Sequence, residues 1–206
     1  MPHFDLFEKS IKILSNDELH HINYQIHPGF TPNQEEFIRN SLKIIANRLF
    51  NENILENMYR ICGNSAQFLG PKVWSRSQLA NNGNYHGSHD LLRFQLKCLG
   101  TSLFPVIHLY PFDEQTDTQA EGTVGCISCI SHPTAFSIQG QFHIKLNRHH
   151  LDLSNNQTRQ HVVYLAAVIV HEMLHNLGHK HKNNDDELWQ INVFEQCFLT
   201  NGNYSL

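Results

Sequence analysis

Five residues of three types at fixed spacing stand out in this chain: His171, Glu172 and His175, then Gly178 and His181, together reading H-E-x-x-H-x-x-G-x-x-H. Histidines four apart on a helix lie on one face, a turn apart, so their imidazoles can converge on one ion. Glu172 sits where its carboxylate reaches a water on that ion without being a ligand itself. Gly178 falls where a helix needs a left-handed residue to stop, and the chain turned back there could bring His181 round as a third ligand. Three neutral nitrogens and a water make an open tetrahedral zinc site, the kind that does catalysis.

Chance is a weak competitor. In a chain with 16 histidines, H-E-x-x-H arises by composition alone in roughly one such sequence in fifteen. Requiring Gly178 and His181 as well lowers that to roughly a few in ten thousand. The surroundings favour a real helix. Ser154-Asn155-Asn156-Gln157 has the form of a capping box, and Val162 to Val170 is almost wholly apolar, as expected of a helix buried on all sides.

The elements that must position this helix can be read along the chain. With 206 residues, 40% hydrophobic and 17% charged, one globular domain with a sizeable core is expected. Residues 1–20 carry a mixed helical pattern and read as a short leading helix or arm. Ile22, Tyr24 and Ile26 alternate with polar residues, as in a half-buried strand. Thr31-Pro32-Asn33-Gln34 is a strong helix start, followed by Ile38, Leu42, Ile45, Ala46 and Leu49 at helical spacing; Asn51-Glu52-Asn53 breaks that helix. The pattern is poor from about 63 to 103. Strands are expected at 104–110, at 122–130 and at Phe142, Ile144 and Leu146, the last entered through Gln139-Gly140. The zinc helix follows, then a final helix over about 185–199.

A net charge of −4 gives no electrostatic case for nucleic acid or a membrane surface, and no apolar run has transmembrane length. The first residues lack a signal-peptide pattern. Cysteines 62, 98, 126, 129 and 197 are an odd set without framework spacing, read as reduced thiols. A cytoplasmic protein, or one exported by a leaderless route, is therefore expected.

The 171–181 motif, and the order strand, long helix, irregular stretch, three strands, zinc helix, glycine turn and third histidine, resemble the metzincin clan of zinc endopeptidases. The resemblance implies an α+β fold: a twisted, mainly parallel sheet of about four to five strands with an antiparallel edge strand, a backing helix, a zinc-binding active-site helix and a short C-terminal helix. It implies one domain over 1–206, with an arm at 1–20, an upper subdomain at 21–178 and a short C-terminal subdomain at 179–206. Zn2+ would be held by His171, His175 and His181, with Glu172 as general base. A protein or peptide substrate would add in extended form to the edge strand at Gly122, Thr123, Val124, Gly125 and Cys126, and a monomer is expected. The clan's methionine turn has no counterpart, because the methionines are Met1, Met58 and Met173.

Two other zinc enzymes share part of the pattern. A bacterial endoribonuclease family of ribosome maturation carries H-G-x-L-H-x-x-G-Y-D-H, but has a small residue where Glu172 stands. Thermolysin-like enzymes keep H-E-x-x-H and take a glutamate from the next helix, which here would be Glu195; Gly178 has no purpose in that scheme. A metal-stabilised binding module with all positions filled by protein is the non-enzymatic alternative. Other chemistry-bearing residues have bland readings: His179 as a solvent-facing or supporting residue, Cys126, Cys129 and His132 as ordinary strand residues, and His86, His89 and Asp90 as a loop. His149-His150 are candidates to line the cleft, and Tyr204 reads as a tail residue.

Overall fold

The computed structural model describes residues 9–15, 18–62, 95, 99, 105–131, 136–152, 159–179 and 190–204. His181, the capping sequence at 154–157, His86, His89, Asp90 and His132 lie outside them.

The fold is α+β. Strands β1 (Lys9–Ser15) and β2 (Glu18–Ile26) form an antiparallel pair and lead into helices α1 (Pro32–Arg48) and α2 (Glu52–Cys62). Strands β3 (Ile107–Phe112), β4 (Ala120–Gly122), β5 (Ser128–Ser131), β6 (Phe136–Gln139) and β7 (Phe142–Asn147) follow. A short helix α3 (Arg148–Asp152) precedes the long α4 (Arg159–Asn176), and α5 (Gln190–Leu199) comes last. The main sheet has the order β1-β2-β3-β7-β4. Its centre, β2-β3-β7, is parallel, and both flanks pair antiparallel. An antiparallel edge strand is present as β4, though only Gly122 of the expected 122–130 belongs to it, while β1 makes the opposite edge antiparallel too. Strands β5 and β6 form a separate two-stranded hairpin.

Helix α1 follows its sequence signal closely. Thr31 caps it, its hydroxyl accepting from the Gln34 N–H while the Gln34 side chain accepts from the Thr31 N–H at 2.9 Å. These reciprocal bonds satisfy two donors that the first turn would otherwise leave open. Phe37, Ile38, Leu42, Ile45 and Ala46 bury one face. Buried Ser41 lies on the same face, its hydroxyl 3.0 Å from the Phe37 carbonyl and 3.1 Å from that of Val162 on α4. A small polar residue there lets the two helices approach closely.

Two expectations need correction, and a third, the break at Asn51, holds but is incomplete. Residues 9–15 form a strand rather than a leading helix: Ile11 and Ile13 are two positions apart, the strand period, and β2 supplies ladder partners from Lys9↔Tyr24 to Ser15↔Glu18. Asn51 ends one helix but also starts another, because its side chain caps α2 by accepting from the Asn53 N–H at 3.1 Å. The strand expected at 122–130 is broken. Pairing with β7 stops at Gly122, Val124-Gly125 forms a turn with Gly125 at φ +74°, and strand structure resumes at Ser128.

Ile107, Leu109, Phe142, Ile144 and Leu146 turn one sheet face into the core against α1 and α4. The alternate residues of β3 and β7 make the other face, where four rings line up. His27 stacks on Tyr110 with centroids 3.9 Å apart, and His143 stacks on both His108 and Tyr110. His27 Nε2 lies 3.0 Å from His108 Nδ1. Sequence reading did not single out this ring ladder, because its members come from three separate segments. Among the described residues, no helix is long and apolar enough to cross a membrane.

Candidate metal centre

The site is built on the last two turns of α4. This helix is anchored by Leu165, Ala166, Ala167, Ile169, Val170, Met173 and Leu174, all buried. It ends as the glycine predicts. Gly178 takes φ +99°, its N–H donates to the His175 carbonyl at 2.8 Å, and the His179 N–H reaches back to the Leu174 carbonyl at 3.0 Å. This pair of bonds is the Schellman arrangement, open to a residue in the left-handed region at little cost only when it is glycine.

On this frame His171, Glu172 and His175 offer ligand atoms that all lie within 4.8 Å of one another. The two imidazoles stand at 69° with centroids 5.1 Å apart. Each is held through Nδ1. His171 Nδ1 is 2.8 Å from Glu195 Oε2 on α5, and His175 Nδ1 is 2.8 Å from the His179 carbonyl oxygen. An Nδ1–H engaged with an acceptor fixes the tautomer that presents the Nε2 lone pair to an ion. Two such imidazoles beside a carboxylate are a nitrogen and oxygen donor set suited to zinc.

His179 does not face solvent. It is buried, its Nε2 lies 2.8 Å from Gln95 Oε1, and the Gln95 side-chain amide donates to the Leu177 carbonyl at 3.0 Å. Gln95 thus steadies the turn that carries the His179 carbonyl. It belongs to the stretch where the sequence pattern is poor, and no local signal marked it.

Glu172 is buried, and burial pushes its carboxyl above the ordinary range. The neighbouring His171 and a hydrogen bond from the Gly122 backbone oppose that rise, while Glu195 and Glu121 add to it. Strand β4 comes extremely close here. A Cβ on Gly122 would stand 2.7 Å from the Glu172 carbonyl oxygen, 2.8 Å from its Oε2 and 2.9 Å from Asn176 Nδ2. Beyond Gly122 the chain runs along the helix end. The Gly125 N–H donates to the His175 carbonyl at 2.9 Å, and the Ile127 N–H to the Asn176 carbonyl at 3.0 Å. These bonds explain why the segment leaves the sheet: its donors satisfy carbonyls at the C-terminal end of α4.

Compared with family models, curated proteins and solved structures, the chain matches none.

Asn176 completes the frame. Fully buried, it accepts from the His143 N–H on β7 and donates to the carbonyls of His143 at 3.3 Å and Glu172 at 3.0 Å. Gly122, Thr123, Val124, Gly125 and Cys126 therefore lie beside Glu172 and His175, with Val124 among the exposed large apolar side chains. On the opposite sheet face, a cavity of about 340 Å³ is lined by Tyr110, Glu121, Gly122, Thr123, His143 and Lys145.

The other candidates sit elsewhere or in ordinary roles. His150 Nε2 is 2.8 Å from the Thr116 carbonyl, and Cys126 Sγ is 3.3 Å from that of Gln141. Tyr204 is partly buried against the core, its carbonyl accepting from Asn57 at 2.9 Å and Arg60 at 3.0 Å on α2.

Proposed function

We propose that the chain is a zinc-dependent endopeptidase of metzincin-like design. The observation that carries this reading is the pair of Nδ1-anchored imidazoles flanking a buried glutamate beside β4, the last strand of the sheet among the described residues. His171 and His175 hold the metal, with His181 as third ligand by likeness to the clan. Bound zinc supplies a Lewis acid that lowers the pKa of water and polarises a carbonyl. Glu172 accepts the proton of the attacking water and delivers it to the departing amine. Its burial, which raises its affinity for a proton, suits a group that must do both. Strand β4 has β7 on one side and, among the described residues, no strand on the other, so an extended peptide can pair with Ala120–Gly122 and pass over the Thr123–Cys126 turn.

Digestion of casein and of a peptide library, with and without chelator and alongside an RNA substrate, tests the reading. Chelator-sensitive peptide cleavage that disappears in Glu172→Gln, while zinc content stays at the wild-type level, is the expected result. A loss of about 10²–10⁴-fold is typical for a missing general base. RNA cleavage that survives Glu172→Gln would replace the peptidase by a ribonuclease. Zinc bound with no hydrolysis of either substrate would leave a metal-stabilised binding module. His171→Ala and His175→Ala should each lose metal and activity together.

A further inference from the structure

Glu195 offers a carboxylate to the metal centre from a different helix, and two roles are open to it by chemistry: direct ligand, or support for a ligand. We infer that it is a positioning residue, fixing the ring of His171 from behind; this rests on the zinc reading of the site. Its Oε2 approaches Nδ1, the ring nitrogen turned away from the one that a helical H-E-x-x-H histidine offers to zinc, at 2.8 Å. The neighbouring ligand is treated in the same manner, with a neutral carbonyl, that of His179, at the same distance from Nδ1 of His175. Two acceptors on two Nδ1 atoms form a matched pair of supports.

The placement of Glu195 is built into α5. Ile191, Phe194 and Phe198 bury their side chains, which leaves Glu195 at the margin of the apolar stripe against α4. The Glu195 and His171 side chains are 18% and 15% exposed. The end of the helix is tied to α1, where Arg48 donates to the carbonyls of Phe198 at 2.8 Å and Leu199 at 3.1 Å. A carboxylate so fixed does two things for His171. It selects the Nδ1–H tautomer, and its charge makes the imidazole a stronger donor to a cation. The His179 carbonyl gives His175 the first of these without the full charge, so the two rings are supported unequally.

The test is zinc affinity, measured by competition against a chromophoric chelator in wild type, Glu195→Ala and Glu195→Gln, with the visible spectrum of the Co(II)-substituted proteins recorded in parallel. Glu195→Ala should weaken zinc binding by about 10–100-fold. Glu195→Gln keeps an acceptor for the Nδ1–H but not the charge, and should recover part of that loss. All three should share one Co(II) band pattern, because no ligand is removed. Unchanged affinity in both variants overturns the positioning role. A changed band pattern in either variant overturns it in favour of direct ligation. Absence of zinc binding by wild type would instead overturn the metal reading on which the inference stands. Metal-free thermal unfolding of Glu195→Gln within a few degrees of wild type separates lost affinity from lost fold.

Discussion

Gly122 shows how tightly the centre is built. Any side chain there must push against the Glu172 backbone at 2.7 Å and its carboxylate at 2.8 Å, and backbone in a buried helix has little freedom to yield. Gly122→Ala should therefore cost about 1–3 kcal/mol, the usual range for overpacking, and displace the carboxylate. A denaturant midpoint lowered accordingly, with turnover falling further than stability explains, is expected; an unshifted midpoint would show that strand and helix can part. Asn176 acts in the opposite sense, by bonding rather than by space. Asn176→Leu removes the acceptor of the His143 N–H, a net hydrogen bond worth about 0.5–1.5 kcal/mol, and loosens β7 from the helix end. The sequence marked Gly122 only as part of the expected substrate strand, not as a neighbour of Glu172, and did not mark Asn176 at all. His171, Glu172, His175 and Gly178 were legible because their reasons are local: helical spacing and a left-handed stop. Gly122, Gln95 and Asn176 answer to partners 50, 84 and 33 positions away, which no window of sequence contains.

Among the elements, those with local punctuation were readable and those defined by a partner were not. Thr31-Pro32-Asn33-Gln34 gave α1, and alternation gave β7. Strand β1 is defined by its neighbouring partner β2 rather than by its own pattern, and the departure of 123–127 from the sheet is set by the carbonyls of His175 and Asn176, about 50 residues away. The ring ladder across β3 and β7 has a consequence of the same non-local kind. Burial first, and repulsion from His143 second, hold His27 below its ordinary value of 6.5; His108, Tyr110 and His143 are the groups that face it. As pH falls through 6.5 the unfolded chain takes up this proton before the folded one. The stability contributed by the neutral ring is thus complete above that pH and lost as the pH drops through the lower native value. Melting temperature should decline below about pH 6.5, and His27→Gln should flatten part of the decline. Parallel wild-type and variant curves would show that the ring is not titrating in the folded protein.

For the molecule as a whole, the decisive question is whether metal creates the fold or finds it already made. Small zinc domains are unfolded without their ion because they lack an adequate core. Here α4 is wedged between α1, α5 and the sheet, and the residues on either side of the ligands, Val170, Met173, Leu174 and Leu177, are at most 1% exposed. The imidazoles are set by Glu195 and the His179 carbonyl, groups that need no ion to hold them. On the proposed zinc peptidase reading, removing metal should therefore abolish hydrolysis and leave the fold. Chelator-dialysed protein is expected to keep its far-ultraviolet circular dichroism and to unfold in one cooperative transition. Restoring zinc at about 100 times its dissociation constant should then add about 2.7 kcal/mol by mass action, which in a chain of this size is a rise of roughly 5–11 °C. Glu172→Gln should show the same rise, because it changes the proton acceptor and not the imidazoles. His171→Ala should show much less. A metal-free protein that melts without a transition would mean that the core described here does not hold the site by itself, and that the ion is structural before it is catalytic.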